Sequence, residues 1–198
     1  MIKIYGSKAS SAGRCVWLME ELGLEYQIVP LDFQKNEHKS PEYMELNPNG
    51  KVPTLVDGTF TLWESIAINT YLAEKHQPAL MGSTPEERAL VNQWSLWSAI
   101  HLHESMEVLV LKTWRKEEES DKTKQAREAL PRWLTILNNH LSTTDYMVSN
   151  RFTLADVTVM SVVNSSKFVG YELSAYPAVM AWMERLSARP AFQKYMAK

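Results

Sequence analysis

An acid and a hydroxyl stand side by side at Glu64-Ser65, where the β-prone run Thr59–Leu62 gives way to a helical pattern of Ile66, Ile68, Tyr71 and Leu72. A carboxylate accepts hydrogen bonds from a ligand ammonium, and the free N–H groups of a helix start receive a ligand carboxylate. An amino-acid head group carries both charges. Upstream, the turn cluster Asn47-Pro48-Asn49-Gly50 leads through Lys51 to Val52-Pro53. An X-Pro bond tolerates the cis form. A cis bond here would leave the N–H and C=O of Val52 to pair with an extended, peptide-like ligand. The same stretch also suits an ordinary β-hairpin, turning at Asp57-Gly58 and running into a capped helix.

These residues need a scaffold. Ile2–Tyr5 is a short strand, Arg14–Leu22 has helical spacing closed by Gly23, and Tyr26–Val29 is a second strand. Strand, helix and strand in this length make a βαβ unit with parallel strands. With the hairpin and a helix from about Glu64 to His76, the order becomes β-α-β-α-β-β-α, a thioredoxin-like arrangement over residues 1–77. Breakers crowd residues 78–84, which read as a linker, and residues 85–198 read as an all-helical domain. Its first helix opens on Thr84-Pro85-Glu86-Glu87, with a cap, a first-turn proline and acids against the helix dipole. That helix carries Leu90, Val91, Trp94, Trp97 and Ile100. A second, over about 122–141, turns Ala126, Leu130, Trp133, Leu134 and Leu137 inward. Thr153-Leu154-Ala155-Asp156 is a capping box before an apolar helix, with Phe152 placed as its hydrophobic staple, so Asp156 serves folding and not chemistry.

The 198 residues carry a net charge of −2, and no basic run marks nucleic acid or an anionic membrane as a partner. One cysteine, Cys15, excludes an internal disulfide, and no apolar run reaches membrane-spanning length. A cytoplasmic protein is the expectation. His101, His103, Glu104 and Glu107 lie close in sequence, but no second cluster completes a four-ligand site, so no metal is expected.

Lys51-Val52-Pro53-Thr54-Leu55-Val56-Asp57-Gly58, followed by Leu62-Trp63-Glu64-Ser65-Ile66, resembles the glutathione-binding signature of the cytosolic glutathione transferases. The resemblance extends over nearly the whole chain. It implies a cis proline at Pro53, Val52 paired with the cysteinyl backbone of glutathione, and Glu64 and Ser65 on its γ-glutamyl group. It also implies a helical domain that contributes a pocket for a hydrophobic electrophile, and a homodimer. The family's reaction is attack by the glutathione thiolate, so the protein must stabilise that anion with a hydroxyl donor and a helix N-terminus. Ser7, Ser10 and Ser11 lie between the first strand and the first helix. In serine-type classes the active serine stands four residues before an Arg, which selects Ser10, with Ser11 as the fallback. Glu37-His38-Lys39-Ser40-Pro41 resembles the phi class, where the His-Lys pair meets the glycine carboxylate of glutathione; Lys51 is a third candidate for that role. The serine spacing is theta-like. Tyr5 is expected to pack, and Cys15, inside the helix, to be buried and inert. The reading is a glutathione transferase with glutathione as co-substrate. A glutathione-dependent isomerase or dehalogenase, or a non-catalytic regulatory relative, would share this pattern.

Overall fold

In the computed structural model, which describes residues 1–197, strand β1 (Ile2–Tyr5) leads into helix α1 (Gly13–Glu21) and strand β2 (Tyr26–Val29). β1 and β2 run parallel, with Ile4 opposite Ile28. α1 ends where Gly23 turns left-handed at φ 63°, letting the Leu24 N–H reach the Met19 carbonyl at 3.0 Å. A short 3-10 turn at Glu37–Lys39 precedes helix α2 (Pro41–Leu46). Strands β3 (Thr54–Asp57) and β4 (Phe60–Trp63) then form the hairpin, with Asp57 opposite Phe60. β3 pairs antiparallel with β1, giving the sheet order β2-β1-β3-β4. Helix α3 (Ser65–His76) follows β4. Between sheet and helices, Ile4, Val16, Leu18, Leu55, Ile68 and Leu72 are wholly buried. This is the thioredoxin-like arrangement that the strand and helix patterns indicate.

After a 3-10 turn at Pro78–Met81, the chain is helical: α4 (Pro85–Trp97), a π-helical turn (Ser98–Leu102), α5 (His103–Arg115), α6 (Asp121–Leu141), α7 (Leu154–Val163), α8 (Ser166–Val169), α9 (Pro177–Ser187) and α10 (Pro190–Ala197). α7 is the buried helix of this group; nine of its ten residues are buried, in keeping with apolar residues on most of its faces. Leu130, Leu134 and Leu137 of α6 are buried as their spacing demands, but Trp133 is only half-buried. Its ring lies against His101, Trp97 and the Arg132 guanidinium, at centroid distances of 4.6, 6.5 and 4.6 Å. Leu90 and Ile100 point to solvent. Among the described residues no helix is long and apolar enough to cross a membrane.

The chain divides into two compact units, Met81–Arg189 and Met1–Leu80, and the segment from Pro190 onward belongs with the latter. Sequence order placed that segment in the helical domain. Its side chains place it elsewhere: Phe192 packs edge-on against the buried Trp17 of α1 at 4.9 Å, and Lys194 pairs with Glu20 of α1 at 2.5 Å.

Candidate active site

The loop between β1 and α1 is tied by Ser10. Its hydroxyl donates to the Ser7 carbonyl at 2.7 Å and accepts from the Ser7 and Ala12 N–H groups, each at 3.2 Å. That is the work of a capping side chain, and it engages the only hydroxyl proton. Ser11 differs: among the described residues neither its N–H nor its hydroxyl makes a hydrogen bond. Part-exposed, it immediately precedes Ala12, the N-cap of α1, which makes no side-chain cap.

Gly6 shows why Ser10 and Val52 lie together. A Cβ on Gly6, whose φ is 128°, would come within 3.2 Å of both Ser10 Oγ and Val52 Cβ. The Val52-Pro53 bond is cis, and the Val52 N–H and C=O are without hydrogen bonds among the described residues. Lys51, immediately before them, is fixed through its carbonyl, which accepts from the Tyr43 hydroxyl at 2.6 Å and the Asn47 side-chain amide at 2.8 Å. Thr54 Oγ1 joins the same two groups at 2.8 and 3.1 Å. Sequence reasoning missed Tyr43, Asn47 and Thr54 as the supports of this loop. Asn47 opened the turn cluster, but its amide partners lie farther along the chain.

The His38–Lys39 turn and the Lys51 turn are neighbours. Gly50, at φ 58°, takes a conformation that favours glycine, and a Cβ there would press on the His38 carbonyl at 3.1 Å and touch Lys39 Cγ at 3.8 Å. Both lysine side chains are exposed, so their charges are available to an anion. His38 stacks on Phe33 at 4.5 Å, and its Nδ1 is buried without a partner among the described residues.

Glu64 sits at positive φ, 70°, with ψ 115°, a conformation that costs a non-glycine residue on the order of 1–3 kcal/mol. It starts α3 without capping it; its carboxylate is exposed, and Ser65 behind it is buried. α3 abuts α1 there, with Cys15 Sγ 3.7 Å from the Ser65 carbonyl and Asn69 Nδ2 3.3 Å from the Arg14 carbonyl. Burial pushes the Cys15 thiol up to about 12, partly offset by Arg14, so it stays protonated and unreactive near neutrality. Tyr5 packs with its ring 5.6 Å from that of Tyr43. His101 is a stacking partner of Trp133, and His103 lies 4.0 Å from Glu107.

The open groups at this end of the sheet are a hydroxyl at a helix start, an extended backbone pair, a strained acid before a second helix start, and two or three cationic side chains. Together they suit a small, extended peptide bearing an ammonium and carboxylates.

Residues 2–74 match the glutathione S-transferase N-terminal domain and residues 100–190 the glutathione S-transferase C-terminal domain. Glutathione S-transferase 1 of Zea mays is 34% identical, with 99% of this chain and 96% of the relative aligned. A probable glutathione S-transferase of Oryza sativa subsp. japonica is 33% identical, over 98% and 94% respectively. Among solved structures, the theta class glutathione S-transferase of Xanthomonas axonopodis pv. citri, with glutathione bound, superposes at a TM-score of 0.92 with 32% identity, covering 100% of this chain and 97% of that one. These relatives bear transferase names, which favours conjugation over the isomerase, dehalogenase and regulatory readings. The domain matches and the full-length relatives place this chain in the glutathione S-transferase family.

Proposed function

We propose that Ser11 donates the hydrogen bond that holds bound glutathione as its thiolate, in place of the Ser10 that the serine-to-arginine spacing selects. The observation that carries this is the contrast between the two hydroxyls: Ser10 closes its own loop, and Ser11 has no protein partner among the described residues. A free thiol titrates near 8.5, so near neutrality most of it is protonated. A donor and the positive end of α1 favour the anion and lower that value. The thiol proton leaves to solvent. The sulfur lone pair then forms a carbon–sulfur bond to the electrophile, and the displaced electrons go to the leaving group or the adjacent unsaturated atom. Ser11 is not consumed.

The rest of glutathione is assigned by charge and shape. Glu64 takes the γ-glutamyl ammonium, and Ser65 with the first N–H groups of α3 takes its carboxylate. The Val52 backbone pairs with the cysteinyl residue beside Pro53. His38, Lys39 and Lys51 supply the positive side for the glycine carboxylate. Recognition of a hydrophobic electrophile is assigned to the helical unit. Family membership supports a cytoplasmic setting and a homodimer, and gel filtration would test the homodimer.

The deciding experiment is a difference-absorbance titration of the bound thiolate against pH, on wild type, Ser10→Ala and Ser11→Ala. Ser11→Ala is expected to raise the thiol pKa and lower kcat/KM about 10²-fold, while Ser10→Ala acts chiefly on stability. The reverse pattern would return the role to Ser10. If wild type leaves the thiol at its free value, neither serine activates it.

A further inference from the structure

The loop that presents Ser11 is held locally by Ser10, but its other support comes from the far end of the chain. Lys8, within the loop, donates from Nζ to the Tyr195 carbonyl at 2.6 Å, and the Tyr195 hydroxyl returns a longer contact to the Lys8 carbonyl at 3.4 Å. The Lys8 ammonium also lies 5.5 Å from the centre of the Tyr195 ring. These two residues are 187 positions apart. The contact is close-packed at Gly13, the first residue of α1: a Cβ there would fall 2.2 Å from the Lys8 carbonyl and 2.8 Å from the Tyr195 hydroxyl. α10, which carries Tyr195, is itself anchored farther along the same face of α1, since Gly13, Trp17 and Glu20 stand at i, i+4 and i+7. Phe192 sits edge-on to Trp17, and Lys194 pairs with Glu20, whose other oxygen accepts from Tyr26 at 2.6 Å.

We propose that α10 is a clamp on the β1–α1 loop, and that Tyr195 is a positioning residue which, through Lys8 and Gly13, holds the Ser11 hydroxyl in register with the glutathione sulfur. A donor displaced by about 1 Å loses most of its effect on the anion it serves, because hydrogen bonds weaken steeply with distance and angle. A loop of small residues has little else to hold it: Ser7, Ala9, Ser10, Ser11 and Ala12 have no side chain long enough to reach a distant partner. The clamp touches the loop from the side of Lys8 and Gly13, so releasing it frees the thiolate's donor without removing any group assigned to glutathione. Tyr195 acts in this way only if Ser11 is that donor, so the two are tested together.

The test is the pH titration of bound glutathione thiolate by difference absorbance on the full chain, for Tyr195→Ala, Tyr195→Phe, Lys8→Ala, Ser11→Ala and Ser11→Ala/Tyr195→Ala. Tyr195→Ala is expected to raise the bound thiol pKa by about one unit, roughly a tenfold loss of thiolate below the pKa, with glutathione affinity changed less than about threefold. Tyr195→Phe, which loses only the hydroxyl contact and keeps the ring beside the Lys8 ammonium, shifts it less. In the Ser11→Ala background, the Tyr195 change adds nothing, because the group it positions is gone. An unchanged thiol pKa in Tyr195→Ala overturns the clamp, whatever happens to the melting temperature. So does a shift of equal size with and without Ser11. A wild-type pKa in Ser11→Ala is the distinct signature of a wrong serine, and it overturns the route through Ser11 as well. Should Tyr195→Ala fail to accumulate, Lys8→Ala removes the ammonium's contact with the ring and its hydrogen bond to the Tyr195 carbonyl from the loop side, and is judged by the same shift.

Discussion

The starts of α1 and α3 are finished differently from those of α4, α6, α7 and α9. In the helical unit the chain closes these four with its own side chains. Thr84 Oγ1 accepts from the Glu87 N–H at 3.2 Å, and Ser120 and Thr123 form a reciprocal box at the start of α6. Asp156 reaches back to the Thr153 N–H at 2.9 Å, and Asn138 Oδ1 receives the N–H groups of Ala178 and Val179 at the start of α9. In the thioredoxin-like unit α2 is closed in the same way, Ser40 Oγ accepting from the Tyr43 N–H at 3.2 Å, but the starts of α1 and α3 carry no side-chain cap at Ala12 or Glu64. A helix start leaves four N–H groups without intrahelical partners, and these need acceptors from somewhere. Where the chain supplies the acceptor, the start serves stability. Where it does not, the start is open to an anionic ligand.

Asp156→Ala should break the first half of this contrast most severely. Its carboxylate accepts from the Met147 N–H and Trp182 Nε1 at 3.0 and 2.9 Å on one oxygen, and from the Thr153 N–H and hydroxyl at 2.9 and 3.1 Å on the other. Burial pushes this carboxyl up, and those four hydrogen bonds oppose the push. The alanine variant strands all four donors in the core, at a cost of about 3–5 kcal/mol and a fall in melting temperature on the order of 10 °C. The bound thiol's pKa in the surviving folded fraction should not move. A melting curve like the wild type's would mean that this closed start carries no stability.

Glu64→Gly tests the opposite half. Glycine tolerates φ 70°, so the variant should melt at or above the wild-type temperature, gaining up to about 1 kcal/mol net of glycine's greater freedom when unfolded. Glutathione affinity, read by calorimetric titration, should fall about tenfold or more as the acceptor for its ammonium is lost. Lower stability with unchanged affinity would make Glu64 a structural residue and collapse the contrast.

What the sequence made legible follows the same division. Closed starts are local: Thr84-Pro85-Glu86-Glu87 and Thr153–Asp156 contain donor and acceptor within one turn, so residue types and spacing suffice. The strands and the fold of the first unit were legible for a similar reason, each element carrying its own periodicity. The choice between Ser10 and Ser11 was not, since two adjacent serines differ only in which backbone groups fold against them. Nor was the support of Lys51 by Tyr43 and Asn47, or the docking of Pro190–Ala197 on α1, because those contacts join side chains from separate elements.

Thr84→Ala sharpens the comparison at a smaller scale. It removes one local cap and should cost about 1 kcal/mol, read as a shift in denaturation midpoint with an unchanged slope. No shift would mean that the neighbouring groups already satisfy that start, and Glu87 is the group most able to do so.

Glu87 supplies the smallest and most condition-dependent effect. Hydrogen bonds from Ser149, the Ser83 N–H and Arg151 lower its carboxyl from 4.5 to about 2. The Ser83 and Arg151 contacts are 2.6 and 2.8 Å long. A carboxyl whose folded value lies below its unfolded value binds fewer protons when folded, so its contribution is complete above about 4.5 and disappears as the pH falls towards about 2. The group is solvent-exposed, and screening keeps the effect small. Wild type should therefore melt slightly above Glu87→Gln near neutrality, and the gap should close between pH 4.5 and 2. Added salt at neutral pH should narrow it too. A gap independent of both pH and salt would assign the role of Glu87 to packing, and the closed start of α4 would then rest on Thr84 alone.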